Sequence, residues 1–360
     1  MAIEIMAAKQ PKKKRSHVFD FLAIFIILCL IGGGVAVFVM GFDDYSQMRN
    51  MQLTWTEIVE IADTKDPEAP SSYVEVKPEN IRNGLVLAGL APKPADETDY
   101  LYRPINLKAL REVNADVSGY IYSPNTAINY PIMKESMPGE YYYLTHNINR
   151  EEDRYGSIFE LCDAERGLPR MKNAVDVVFG HNMASGAMFA GLVNYKYVGF
   201  DTNPVYIYRD NYRIEYRAFA TCIIDAHDRI YDFDAYELGS DEYGELLKWI
   251  KERNTVGFTT EAPDKNEPIV VLSTCNDAHS DVRVIVCLRE VRRALVPEYY
   301  ETLQEVQEYG GDENAIEKEP ENDEVDYRQP DATDDNGGQV IRPNNPSNNS
   351  GHSGVVIGGR

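Results

Sequence analysis

Cys275 closes an apolar run, Ile269-Val270-Val271-Leu272-Ser273-Thr274, and opens a polar one, Asn276-Asp277-Ala278-His279-Ser280-Asp281. A thiol at the lip of a strand is held firmly by the sheet yet open to a substrate, where a nucleophile is most useful. His181 occupies a matching place, because the apolar residues 175–179 give way to Gly180-His181-Asn182-Met183. Arg283 opens the next apolar run, eight residues after Cys275. The thiolate is the reactive form of cysteine, and a neighbouring cation lowers its ordinary pKa of about 8.5. An imidazole can hold the thiolate or hand a proton to a leaving amine. A guanidinium keeps its proton and offers several donors to a tetrahedral oxyanion. His146 and His279 compete for the part of the imidazole: His279 lies four residues from the thiol, and His146 follows a tyrosine-rich segment that could line a pocket.

Those residues need strands to carry them. Residues 117–122, 129–133, 140–144, 176–179, 204–208, 212–224, 269–273 and 282–288 read as short strands separated by turn residues. With few helices between them, the pattern predicts a mainly β chain folded as a closed or nearly closed barrel. A helix is expected over 106–114, with Leu107, Leu110 and Val113 as its apolar stripe, and another over 241–253, with Tyr243, Leu246, Leu247 and Ile250 on one face. Residues 44–62 have helical spacing, and 63–100 are polar and punctuated by proline, as in a stalk or a loosely docked insert.

The ends differ from the middle. Lys9, Lys12, Lys13, Lys14 and Arg15 precede an apolar run over 21–40 that is broken only by glycines, and Asp43 and Asp44 follow it. Twenty such residues suffice to cross a hydrocarbon core of about 30 Å. Positive charge before and negative charge after predict a cytoplasmic N-terminus and an exported remainder. A cleaved signal peptide is the alternative, although its apolar region is shorter, about 7–15 residues. At the other end, residues 294–360 carry fifteen acids against four bases, half of the chain's net charge of −22. Residues 295–309 read as a short helix, and the remainder as a solvated tail too poor in large apolar residues to offset its ordering entropy. The acidic balance argues against nucleic acid as a partner.

Cysteine usage is sparse. Cys29 lies in the apolar run, while Cys162, Cys222, Cys275 and Cys287 lie beyond it and allow up to two disulfides in three full pairings. Cys222 and Cys287 sit within apolar strands and read as packing residues. No C-x-x-C pair is present, which argues against a zinc site; the expected chemistry uses neither metal nor cofactor.

Leu272-Ser273-Thr274-Cys275 resembles the Thr-Leu-x-Thr-Cys signature of sortases, the cell-wall transpeptidases of Gram-positive bacteria, with Val271 in place of the first threonine. Residues 179–183 are similar to their histidine segment and 282–286 to their arginine strand. Several stretches resemble class B in particular: a helix followed by Ile128-Asn129-Tyr130-Pro131, then Tyr142-Tyr143-Leu144-Thr145-His146-Asn147, Gly156-Ser157-Ile158-Phe159 and Gly186-Ala187-Met188-Phe189. The helix at 241–253 matches the long helix that class B places before its cysteine strand. The order His, Cys, Arg argues against a papain-like protease, and the absence of Ser-His-Gly-x-Arg against an L,D-transpeptidase; a membrane-tethered adhesin is the non-catalytic alternative.

The resemblance implies a closed eight-stranded barrel with N-terminal helices. It implies Cys275 as nucleophile, His181 as general acid and Arg283 at the oxyanion, with Ser273, Thr274, His146 and Asp277 beside the substrate. The substrates it implies are secreted proteins with a C-terminal sorting motif of the Asn-Pro-x-Thr type. The acceptor is an amine of the peptidoglycan cross-bridge, or a pilin amine in a polymerising enzyme. The expected organisation is a cytoplasmic basic segment (1–17), a single membrane anchor (18–41), a juxtamembrane helix and stalk (42–103), a catalytic domain outside the cell (104–293) and an acidic tail (294–360).

Overall fold

A single helix, α1 (His17–Ala62), runs 46 residues without a break. At about 1.5 Å per residue it is roughly 70 Å long. The described side chains of its apolar run stand exposed, Phe21 at 74% and Met40 at 69%. Its last turns do the opposite: Met51, Trp55, Ile58 and Ala62, spaced four, three and four residues apart, are buried in the main core. That spacing draws one stripe along a helix and turns it towards a single neighbour. The computed structural model describes residues 17–308 except 83–84, 87, 97, 136–140, 162–172, 198–202, 233–234 and 276–280. Residues 1–311 form one compact unit. The expected acidic tail beyond residue 308 lies outside the described residues.

After α1 come the short strands β1 (Ser72–Val76), β2 (Ile81–Arg82), β3 (Leu85–Val86) and β4 (Lys93–Pro94). Helix α2 (Leu107–Val113) follows, then β5 (Val117–Tyr122), β6 (Asn129–Glu135), β7 (Ile158–Leu161), β8 (Val175–Phe179), β9 (Val205–Tyr208) and β10 (Tyr212–Asp225). Helix α3 (Asp241–Arg253) precedes β11 (Ile269–Cys275) and β12 (Val282–Leu295), and α4 (Pro297–Glu308) comes last. Eight strands pair in the order β10-β9-β5-β6-β7-β8-β11-β12, and β12 pairs back onto β10 to close the barrel. Closure leaves no free sheet edge around the ring. The β10–β12 ladder shifts register twice, with Val291 the extra residue on β12 and Phe219 the extra residue on β10, and these bulges let the two long strands bend with the wall. Strands β8 and β11 run parallel, and both read as near-continuous apolar runs because both faces are covered.

One face of these strands looks into the barrel core, where Val270, Leu272, Val286 and Leu288 gather. The other face, with Val177, Val271, Ile285 and Cys287, is covered by Tyr243, Leu246, Leu247 and Ile250 of α3. The Ser240 hydroxyl caps α3 by accepting from Tyr243 N–H at 3.1 Å, with acids in its first turn and bases in its last. Cys222 and Cys287 lie within this second layer as fully buried free thiols. A hydrogen bond to the Cys222 sulfur, and after it burial, push the Cys287 thiol well above its ordinary range.

Two segments differ from their sequence reading. Residues 142–144 form a tight 3-10 turn where a strand was expected, with Tyr141 left-handed at φ 48°. The Tyr143 ring is buried and its hydroxyl is bound by Asn114 and Asp116, which pins the segment inward instead of extending it along the sheet. The polar insert is the other. Strand β1 pairs antiparallel with the end of β12 (Val74 opposite Leu295), and β4 adds to β1. Tyr73, Val74 and Val76 are buried in the main core. Arg292 ties the insert further, donating to Glu75 and Asp99 at 3.2 and 2.8 Å.

Candidate active site

The parallel register of β8 and β11 sets the site. Ser273 lies opposite Phe179, and Gly180 N–H extends the ladder by donating to Ser273 O at 3.2 Å. Cys275 is two residues past Ser273, and His181 is two past Phe179, at the same end of neighbouring strands. On the other side of β11, the antiparallel register places Arg283 of β12 directly opposite Cys275. Neighbouring strands lie about 4.8 Å apart, so three adjacent strands bring Cys275, His181 and Arg283 to one rim. Residues 276–280, with Asp277 and His279, lie outside the described residues.

His181 is half-buried and held on three sides. Its carbonyl accepts Phe189 N–H at 2.9 Å, and an Asn182–Met188 bridge closes the loop between them. Its Nε2 lies 2.7 Å from the Leu144 carbonyl. A carbonyl only accepts, so Nε2 carries a proton and Nδ1 keeps the lone pair of the neutral ring. Gly180, just before it, has no room for a side chain: a Cβ there would strike Ile158 Cδ1 and lie 2.8 Å from the Phe189 ring. Two residues before the histidine, the Phe179 ring stacks on Phe159 (centroids 5.3 Å apart) and on Tyr231 (6.0 Å).

The neighbouring candidates fall into distinct places. Arg283 is half-buried, with Nη1 3.5 Å from its neighbour's carbonyl, Val282 O. The Ser273 side chain is buried, and its hydroxyl shares a 2.8 Å hydrogen bond with Tyr231. Thr274 is also buried, and its Oγ1 is without a partner among the described residues. His146 is fixed in its own loop: Nδ1 donates to Tyr142 O at 2.9 Å and the ring stacks on Tyr142 at 3.8 Å. Leu144, two residues earlier in the same loop, reaches His181 through its carbonyl. Among the described residues, no group of three His, Cys, Asp or Glu side chains is arranged to hold a metal ion.

Two contributors escaped the sequence reading. Leu144 acts through a backbone carbonyl, which leaves no signature in residue type. Tyr231 is brought to Ser273 by the loop before α3, from 42 residues away.

No protein-family model matches the chain. Among curated proteins it is similar to sortase B of Listeria monocytogenes, 28% identical over 174 residues that cover 47% of this chain and 67% of that protein. It is similar also to sortase B of Staphylococcus aureus, 27% identical over 192 residues, covering 51% and 74%. Solved structures similar to it include Clostridium perfringens sortase B, at 26% identity and a TM-score of 0.44 over 52% of this chain and all of that one. Another is sortase B of Bacillus anthracis in complex with AAEK1, at 22% identity and a TM-score of 0.49 over 69% and 99%.

Proposed function

We infer from this kinship that the chain is a class B sortase, a transpeptidase, and we propose that it works through Cys275, His181 and Arg283. The observation that carries the assignment of residues is the strand register, with Cys275 opposite Arg283 and in step with His181 across β8.

The Cys275 thiolate attacks the carbonyl carbon of a peptide bond in a sorting motif. A C–S bond forms and the carbonyl electrons move to oxygen, where the Arg283 guanidinium donates to the oxyanion. The intermediate collapses, the C–N bond breaks, and the imidazolium of His181 protonates the departing amine. With Nε2 committed to Leu144 O, Nδ1 is the nitrogen left to hold and release that proton. A thioester remains. An acceptor amine then attacks it, His181 takes the proton from that amine, and Cys275 leaves as thiolate. Ser273 and Thr274, which lead into the nucleophile, are assigned with His146 and Asp277 to the substrate side.

The substrates are secreted proteins carrying a C-terminal motif of the Asn-Pro-x-Thr type, and the acceptor is a peptidoglycan cross-bridge amine. The chain acts from the cell membrane, anchored once, with its N-terminus cytoplasmic and its barrel outside. The continuity of α1 supports an uncleaved anchor, because the helix that carries the exposed apolar run ends buried in the main core of the domain. The test is thioacyl capture. Full-length protein in micelles is incubated with an Asn-Pro-x-Thr peptide, and the covalent adduct is weighed by mass spectrometry. Wild type is expected to form the adduct and release it to an added amine. Turnover retained by Cys275→Ala would overturn the assignment.

A further inference from the structure

Tyr130 belongs to the Ile128-Asn129-Tyr130-Pro131 segment, which the proposed chemistry leaves without a part. It lies in β6, opposite Ile121 of β5, with its side chain buried. Its hydroxyl accepts a hydrogen bond from Met188 N–H at 3.1 Å, in a buried setting. Met188 is fully buried and holds a left-handed backbone, φ 55°, which non-glycine residues adopt only when their surroundings impose it. The next residue, Phe189, donates its N–H to the His181 carbonyl at 2.9 Å, and Met188 itself bridges Asn182 on the other side of the histidine. The backbone that fixes His181 from behind is therefore fixed in turn by one phenol. That phenol has a seat of its own. Trp55 of α1 packs edge-on against the Tyr130 ring, centroids 5.2 Å apart and planes at 86°.

We propose that Tyr130 is a positioning residue for His181: its hydroxyl, seated against Trp55 of the anchor helix, captures the Met188 amide and so sets the loop that carries the imidazole. The proposal rests on the reading of His181 as the acid–base residue. Without the hydroxyl, the Met188 N–H is buried and unpaired, and the left-handed turn loses what holds it. The loop then has a reason to relax, and His181 moves with it. The same contacts make the last turns of α1 part of the site's support, so the element that leads to the apolar run also braces the acid–base residue.

The test is Tyr130→Phe in full-length protein in micelles, a change that keeps the ring against Trp55 and removes only the oxygen. Tyr208→Phe serves as the control, because it too removes a buried tyrosine hydroxyl, one that donates to Tyr100 O at 2.6 Å away from the histidine loop. For thioacylation of an Asn-Pro-x-Thr peptide, Tyr130→Phe is expected to lower kcat by on the order of tenfold with KM little changed, a part of the ~10²-fold that a 1 Å misplacement can cost. The NMR titration of the His181 ring, assigned by its loss in His181→Gln, is expected to shift in Tyr130→Phe and not in Tyr208→Phe. A merely structural tyrosine would lower the melting midpoint in both variants and leave both readouts alone. Wild-type kcat together with an unmoved His181 titration in Tyr130→Phe would overturn the proposal, as would equal effects in Tyr208→Phe. If wild type itself fails to capture any sorting peptide, the functional reading fails, and the titration still decides whether Tyr130 sets His181. Should Tyr130→Phe fail to fold, Trp55→Phe loosens the same seat with the hydroxyl kept, and the same two readouts apply with a smaller shift.

Discussion

The Leu144 carbonyl lies 2.7 Å from His181 Nε2, so a backbone oxygen fixes where the imidazole carries its first proton. That carbonyl belongs to a loop whose anchor is Tyr143, bound by Asn114 and Asp116. A histidine whose second nitrogen is held by a carbonyl keeps its ring orientation while the other nitrogen exchanges protons.

Gly156 decides whether Leu144 can occupy that place. Its φ is +54°, and a Cβ there would sit 2.5 Å from Leu144 O. Gly156→Ala is expected to push that carbonyl off its position and to cost about 1 kcal/mol or more of stability, since alanine is strained at positive φ. Thermal melting and kcat/KM would be measured together. Activity should fall further than the lost stability explains, and normal turnover would show that the Leu144 carbonyl is dispensable to the imidazole.

Arg283→Lys keeps the charge and loses the planar fork. With the guanidinium at the oxyanion, kcat is expected to drop by about 10²-fold, comparable to loss of an oxyanion donor elsewhere. Single-turnover thioacylation reads it directly, and near-normal rates would remove Arg283 from that role.

Trp55 is 5% exposed and lies in the main core, although it comes before every strand of the barrel. Trp55→Ala is expected to destabilise the protein by about 3–5 kcal/mol, as for large core aromatics. Denaturant titration would measure this. A chain starting at residue 63 should fail to fold cooperatively, because it lacks Met51, Trp55, Ile58 and Ala62 together.

Glu75 makes the docking of β1 sensitive to acid. Burial alone would raise its pKa, but the Tyr102 hydroxyl and Arg292 outweigh it and hold the carboxyl below its ordinary value. A carboxylate lowered in this way stabilises the fold above its unfolded pKa of about 4.3 and stops doing so as pH falls through the lower, folded value. Wild type should therefore lose stability more steeply than Glu75→Gln as pH is taken from neutral to below about 4. Parallel slopes in denaturant titrations would show that Glu75 is not tied to the barrel in solution.

Losing one partner of a buried ion pair should be costly. Arg209 donates to both Glu160 oxygens, at 2.8 and 2.6 Å, and both side chains are largely buried. Glu160→Gln removes the charge hydrogen-bonded to the guanidinium and is expected to cost about 3–5 kcal/mol, read from the denaturant midpoint.

Local pattern was enough for what depends on neighbours in sequence. Alternation and apolar runs placed most barrel strands, the 3.6-residue stripe marked α3, and the charges around residues 21–40 set that run apart as a candidate membrane span. Cys275, His181 and Arg283 stood out because their types and strand-end positions are chemical in themselves. What sequence spacing could not reveal are contacts closed over long separations. The Leu144 carbonyl reaches His181 across 37 residues, and the Tyr130 hydroxyl reaches Met188 across 58. The polar insert became strand because β12 extends past β11 and leaves an edge that β1 can pair with. Residues 142–144 turned instead of extending because Asn114 and Asp116 held Tyr143. In each case backbone groups or aromatic hydroxyls find partners only after the barrel has closed, and barrel closure is a property of the whole chain.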